Sequence, residues 1–187
     1  HTPIASLSPE VARRTITLMA PSKTFNIAGL CCAFAVIPDP GLREAFRRAA
    51  RGIVGEPNVL AFAAAEAAYR EGQPWLDEVL RYLEANRDHL LREVPARLPG
   101  VHMASPEATF LAWLDCREAA IPGNPYEFFL RQARVALNDG ATFGRGGEGF
   151  VRLNFGCPRA LLEEALQRMQ RALEGPIPQY PASEADP

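Results

Sequence analysis

The sequence predicts a mixed α/β and α+β chain, the closing part of a larger α/β sheet followed by a two-layer α+β domain. Three patterns carry that expectation. Cys31 to Ile37 is a near-continuous apolar run bounded by Pro38, the signature of a strand buried on both faces. From Trp75 to about Arg97, apolar residues such as Leu76, Val79, Leu83, Leu90 and Val94 recur at helical spacing. Beyond Val101 short strand-like and helix-like stretches alternate, as in an antiparallel sheet with helices on one side.

Each element has a local cause. Ser8-Pro9-Glu10 is a helix start, a capping side chain followed by proline at the first helical position, and opens a short turn through Arg14. Thr15 to Met19 is β-branched and apolar and reads as a strand broken by Ala20-Pro21. Asp39-Pro40-Gly41 opens a helix that turns Leu42, Phe46 and Ala49-Ala50 towards a core. Its Arg43, Arg47, Arg48 and Arg51 read as a solvated face rather than a phosphate site.

Gly52 to Pro57 is a break, Asn58 to Tyr69 an alanine-rich helix, and Gly72-Gln73-Pro74 a separator before the long helix. Thr109 to Leu114 reads as a strand, Pro125 to about Arg134 as a helix, and Val135 to Asn138 as a strand. A glycine-rich loop from Asp139 to Gly149 lacks the residue order of a phosphate-binding P-loop, so tight turns account for its glycines. Phe150 to Gly156 alternates as a strand, and Pro158 to about Leu173 is an amphipathic helix. The domains expected are 1–60, 61–175 and a loose tail over 176–187.

Composition excludes several classes. Of 187 residues 48% are hydrophobic and 22% charged, the balance of a folded globular chain. A formal net charge of −2 argues against nucleic acid or an anionic membrane as partner. Cys31, Cys32, Cys116 and Cys157 show neither metal-ligand nor redox spacing, and read as buried free thiols in a reducing cytoplasm. His1, His89 and His102 are scattered, which leaves no expected metal site.

Lys23 stands out. It follows a short apolar strand, on a small-residue turn before a second apolar run. Burial rules alone make it a surface cation, but a primary amine so placed also suits Schiff-base chemistry. Far along the chain, Arg152 sits in Phe150-Val151-Arg152-Leu153-Asn154-Phe155-Gly156-Cys157-Pro158. A guanidinium there is either the polar face of an edge strand or a fork for a carboxylate.

The segment Ala20-Pro21-Ser22-Lys23-Thr24-Phe25-Asn26-Ile27-Ala28-Gly29-Leu30 and the segment around Arg152 resemble the fold-type I enzymes dependent on pyridoxal 5′-phosphate (PLP). Within that class I/II aminotransferase superfamily they are most similar to the branch of PatB- and MalY-type cystathionine β-lyases. The resemblance covers His1 to about Leu173 and implies the end of the PLP-binding large domain followed by the small domain. It implies that Lys23 carries PLP covalently and shuttles the α-proton, and that Arg152 binds the α-carboxylate of an amino-acid substrate. Ser22 is either a turn serine or a hydroxyl donor to the cofactor phosphate. Many of these enzymes place an arginine eight positions after the lysine, where this chain has Cys31.

The activity implied is a carbon–sulfur lyase that gives thiol, pyruvate and ammonia. An aminotransferase using the same two residues is the alternative, and a non-catalytic binding or regulatory module is an alternative of another class. The resemblance also implies a homodimer. The family's aspartate for the pyridine nitrogen, its ring-stacking aromatic and its phosphate turn all precede the lysine segment. The chain is therefore expected to be a C-terminal portion that is inactive alone.

Overall fold

A computed structural model describes residues 1–175, so the expected tail over 176–187 lies outside the described residues. The chain forms two compact units, His1–Val79 and a second from Leu80 onward. Among the described residues no helix is long and apolar enough to cross a membrane.

In the first unit the Ser8 side chain accepts a hydrogen bond from Val11 N and opens α1 (Pro9–Arg13). Strand β1 (Thr17–Met19) pairs antiparallel with β2 (Phe34–Val36), Thr17 opposite Val36 and Met19 opposite Phe34. The expected strand buried on both faces is corrected here. This sheet is two strands wide, too narrow to cover both of its faces, and Phe34 and Val36 stay 41% and 46% exposed. Only Cys32 and Ile37, at the ends of the apolar run, are buried. Cys31 is exposed, contrary to the buried-thiol reading, because it closes the 3-10 turn Ala28–Leu30 in the left-handed region at φ 54°.

Helix α2 (Pro40–Ala50) is capped by Asp39, whose carboxylate accepts from Leu42 N at 2.7 Å. Its apolar residues Leu42, Phe46 and Ala50 are half-buried rather than core, and Ala49 is exposed. The arginine face is solvated as expected, with Arg48 paired to Glu44 on the same helix. Asn58 caps α3 (Val59–Glu71). The separator before the long helix shrinks to Gly72: its N–H closes α3 on Ala68 O, and its carbonyl accepts from Leu76 N to open α4 (Gln73–Arg97). Pro74 lies inside the first turn of α4, where a missing N–H removes no helical bond.

The second unit is a four-stranded antiparallel sheet in the order β3 (His102–Met103), β4 (Leu111–Asp115), β6 (Phe150–Asn154), β5 (Asn138–Asp139). Alternation decides its two faces. Ala112, Leu114, Val151 and Leu153 point inward and are buried, packed with Leu90 and Val94 of α4 and with Leu162, Leu166 and Met169 of α6 (Arg159–Glu174). This is the two-layer α+β arrangement expected. Helix α5 (Pro125–Phe128) runs on as a π-helical turn to Ala133, ended by Arg134 at φ 54°. The strand expected over Val135 to Asn138 is accordingly reduced to Asn138–Asp139, since the backbone leaves the helix too late to join the ladder earlier.

Asn86, fully buried on α4, ties the helix layer to the end of β6. Its Nδ2 donates to the carbonyls of Phe155 and Cys157, both at 2.9 Å, and its Oδ1 accepts from Arg159 Nε at 2.7 Å. Both N–H donors and the oxygen of this buried amide are engaged, so it fixes a specific turn at little desolvation cost.

Candidate active site

The two residues singled out from the sequence lie in different units. Lys23 sits between β1 and the 3-10 turn, on a loop wound by two backbone hydrogen bonds, Phe25 N to Pro21 O at 2.9 Å and Ile27 N to Ser22 O at 3.0 Å. Phe25 pins this loop by packing on Tyr69 (5.6 Å between ring centroids) and Trp75 (6.4 Å). Pro21 is buried beneath it while Lys23 is exposed. Among the described residues Lys23 has no hydrogen bond or ion pair. Lys23 is thus solvent-facing in this unit, as burial rules alone predict. Ser22 is half-buried, and its hydroxyl donates to Cys32 O at 3.5 Å, a contact at the long limit for a hydrogen bond.

Arg152 occupies the outer face of the second unit's sheet, with Trp113 opposite it on β4 and Asn138 opposite it on β5. Its Nε and Nη2 both donate to Asn138 Oδ1, at 3.3 and 3.1 Å. Its guanidinium carbon lies 4.6 Å from the centre of the Phe143 ring. Phe143 meets Trp113 edge-on at 5.5 Å, Trp113 stacks on Phe150 at 5.6 Å, and Arg117 caps Phe150 at 4.8 Å. The face is thus a row of three rings with a cation at each end.

The two cations differ in one respect. Arg117 grips Asp115 with Nε at 2.9 Å and Nη2 at 2.7 Å, and this pairing holds the Asp115 carboxyl below its ordinary range. Arg152 meets only the neutral amide of Asn138 and, among the described residues, no carboxylate. Its charge is oriented but not neutralised, the condition required to take a carboxylate from outside.

The loop before β6 supplies Phe143. Asp139 Oδ1 accepts from Ala141 N at 3.1 Å and its carbonyl accepts from Thr142 Oγ1 at 2.7 Å, which winds the turn Gly140–Phe143. The tight-turn reading of the glycines holds at Gly144, at φ 114°. Gly140 and Gly147 serve a second purpose, close approach: a Cβ on either would run into the carbonyl oxygen of the other.

Sequence reasoning missed Asn138 and Phe143, and Trp113 entered it only within the strand read over Thr109 to Leu114. The available signal was the strand alternation, which puts Trp113 and Arg152 on outward positions. Nothing local showed that β4 and β5 flank β6.

Residues 1–169 match the family described as aminotransferase class I and II. The chain is similar to cystathionine β-lyase PatB of Bacillus subtilis, 42% identical over 175 residues, which span 92% of this chain and 45% of that protein. Among solved structures it resembles OvoB (55% identity, TM-score 0.86, 92% of this chain and 44% of that one). It also resembles cystalysin of Treponema denticola, which contains a pyridoxal 5′-phosphate cofactor (33% identity, TM-score 0.88, 93% and 45%). The chain spans about half the length of the curated relatives it matches. With a family match over nearly its whole described length, this chain belongs to the class I and II aminotransferase family.

Proposed function

We propose that this chain supplies the cofactor lysine and the substrate-carboxylate arginine of a PLP-dependent carbon–sulfur lyase of the cystathionine β-lyase type. The observation that carries it is the state of Arg152, a guanidinium oriented by a neutral amide, whereas Arg117 at the other end of the ring row is already occupied by Asp115. The choice of a lyase follows the 42% identity to a cystathionine β-lyase.

The residues present fit the cofactor. Lys23 offers an exposed amine free of ion pairing among the described residues, and Ser22 a weakly committed hydroxyl. Lys23 would hold PLP through Nζ, with Ser22 donating to the phosphate. Bound PLP supplies an electron sink for negative charge at Cα. Arg152 binds the α-carboxylate and thereby fixes which bond at Cα is labilised. The Lys23 amine takes the Cα proton as general base, and the Cβ–S bond breaks with its electron pair leaving on sulfur. In net terms an S-substituted amino acid and water give a thiol, pyruvate and ammonia.

The family match also favours a second reading, an aminotransferase, in which Lys23 and Arg152 keep the same roles but nothing leaves from Cβ. Incubating the full-length enzyme with cystathionine separates the two. Thiol and pyruvate in equal amounts, without an added oxo acid, support the lyase. Turnover that requires an oxo acid and releases no thiol overturns it. Lys23→Ala is expected to abolish turnover and the bound cofactor's absorbance, and surviving activity would refute the role of Lys23. The same reading carries a cytoplasmic homodimer, which light scattering and cell fractionation check.

A further inference from the structure

We infer that Asn138 and Phe143 are positioning residues that aim Arg152 so that it grips a substrate carboxylate end-on, through Nη1 and Nη2. The inference rests on the reading of Arg152 as the carboxylate ligand and specifies how that ligand is presented.

A guanidinium has five N–H donors in one plane. Asn138 Oδ1 takes two of them along one edge, from Nε and Nη2. The guanidinium carbon sits over the Phe143 ring, 4.6 Å from its centre. Of the three that remain, one N–H of Nη1 and the second N–H of Nη2 point forward in parallel at the far end, and the other N–H of Nη1 lies on the opposite edge. Two parallel donors match the two oxygens of a carboxylate and set its plane as well as its position. A carboxylate cannot approach along the Nε edge without displacing Asn138.

The neutrality of Asn138 is as important as its position. An aspartate there would hold the same edge but would bring its own charge, reproducing at Arg152 the state of Arg117 beside Asp115. Phe143 contributes differently, because an aromatic face attracts the guanidinium without consuming an N–H. Phe143 is itself held by the edge-on contact with Trp113 and by the Asp139 turn. Three strands and one loop therefore converge on a single side chain.

The test uses the full-length PLP-loaded enzyme and two probes. The first, α-aminoisobutyrate, carries a carboxylate and has no Cα proton to lose; the second is its amide, which lacks the carboxylate. Dissociation constants come from calorimetry, beside KM and kcat with cystathionine. Asn138→Asp is expected to weaken binding of the acid about tenfold or more while leaving the amide unchanged, and to raise KM more than it lowers kcat. Phe143→Leu is expected to weaken the acid several-fold, with Phe143→Tyr restoring it. In an Arg152→Lys background, where no planar fork remains, Phe143→Leu should lose most of its effect on the acid. Equal weakening of acid and amide would overturn the positioning role. If Arg152→Lys weakens the acid but neither Asn138→Asp nor Phe143→Leu does, the positioning inference falls and the carboxylate role of Arg152 stands. If Arg152→Lys leaves the acid unaffected, the role of Arg152 falls with it.

Discussion

Asn86 holds the backbone of Phe155, donating Nδ2 to its carbonyl at 2.9 Å across 69 residues of sequence. Phe155 immediately follows β6, so this bond and the one to Cys157 fix the exit of the strand that carries Arg152. A buried amide on α4 thereby sets where the strand that carries Arg152 ends.

Asn86→Ala leaves the buried Phe155 carbonyl, the part-buried Cys157 carbonyl and the Arg159 side chain without their partner. Each unsatisfied buried group costs roughly 1–3 kcal/mol, so the variant is expected to lose roughly 2–4 kcal/mol of stability. Chemical denaturation of the full-length enzyme checks this, and an unchanged midpoint would contradict it.

Arg152→Lys replaces a planar fork by a point charge. With Asn138 no longer able to hold two donors along one edge, KM for an amino-acid substrate is expected to rise about tenfold or more, with a smaller change in kcat. Steady-state kinetics on cystathionine reads the split directly.

Glu163 joins α6 to α4 through Arg97 Nη1 at 2.5 Å and His89 Nε2 at 3.0 Å. The Arg97 hydrogen bond, foremost, holds the Glu163 carboxyl below its ordinary value. A folded-state value below the unfolded one means that the contribution is fully present above the unfolded pKa, about 4.3, and is lost as pH falls through the folded value. The stability gap between the enzyme and its Glu163→Gln variant is therefore expected to be constant from neutral pH to about pH 5 and to close below about pH 4. Denaturation curves over that range measure it, and a gap that widens on acidification would reverse the sign of the argument.

Burial of Cys116, with Asp115 adding to the effect, pushes its thiol up to about 12. At pH 8 it is therefore a neutral, shielded thiol, and a thiol-directed reagent is expected to leave it unmodified in the native enzyme and to reach it on unfolding. Peptide mapping after labelling identifies the site.

Gly147→Ala puts a Cβ into the backbone carbonyl of Gly140, which cannot yield as a flexible side chain would. The loop that carries Phe143 must then open. The variant is expected to lose stability and to raise KM together, whereas Gly144→Ala, with open space around the added carbon but an unfavourable φ, should cost stability alone. Parallel melting and kinetic measurements separate the two.

Much of the fold was legible locally. Ser8, Asp39 and Asn58 cap their helices where the sequence placed helix starts, and β6 alternates as its residues require. Those features depend on neighbours within four residues, so a linear reading captures them. The family, too, was recognisable from the short segments around Lys23 and Arg152.

Other features depended on what covers a residue. The apolar run from Cys31 to Ile37 looked doubly buried because composition records what a strand could bury. In the structure the partner strand leaves Phe34 and Val36 exposed, and a left-handed turn sends Cys31 to the surface.

By itself, then, the sequence determined most element types, their order and the family, and singled out Lys23 and Arg152 as candidates. Only the tertiary structure decided what surrounds Arg152. Asn138 lies 14 residues upstream and Trp113 opposes it from another strand, brought together by the β4–β6–β5 pairing. Sheet register is set by long-range packing of inward faces, and no local periodicity encodes which strand will lie beside which.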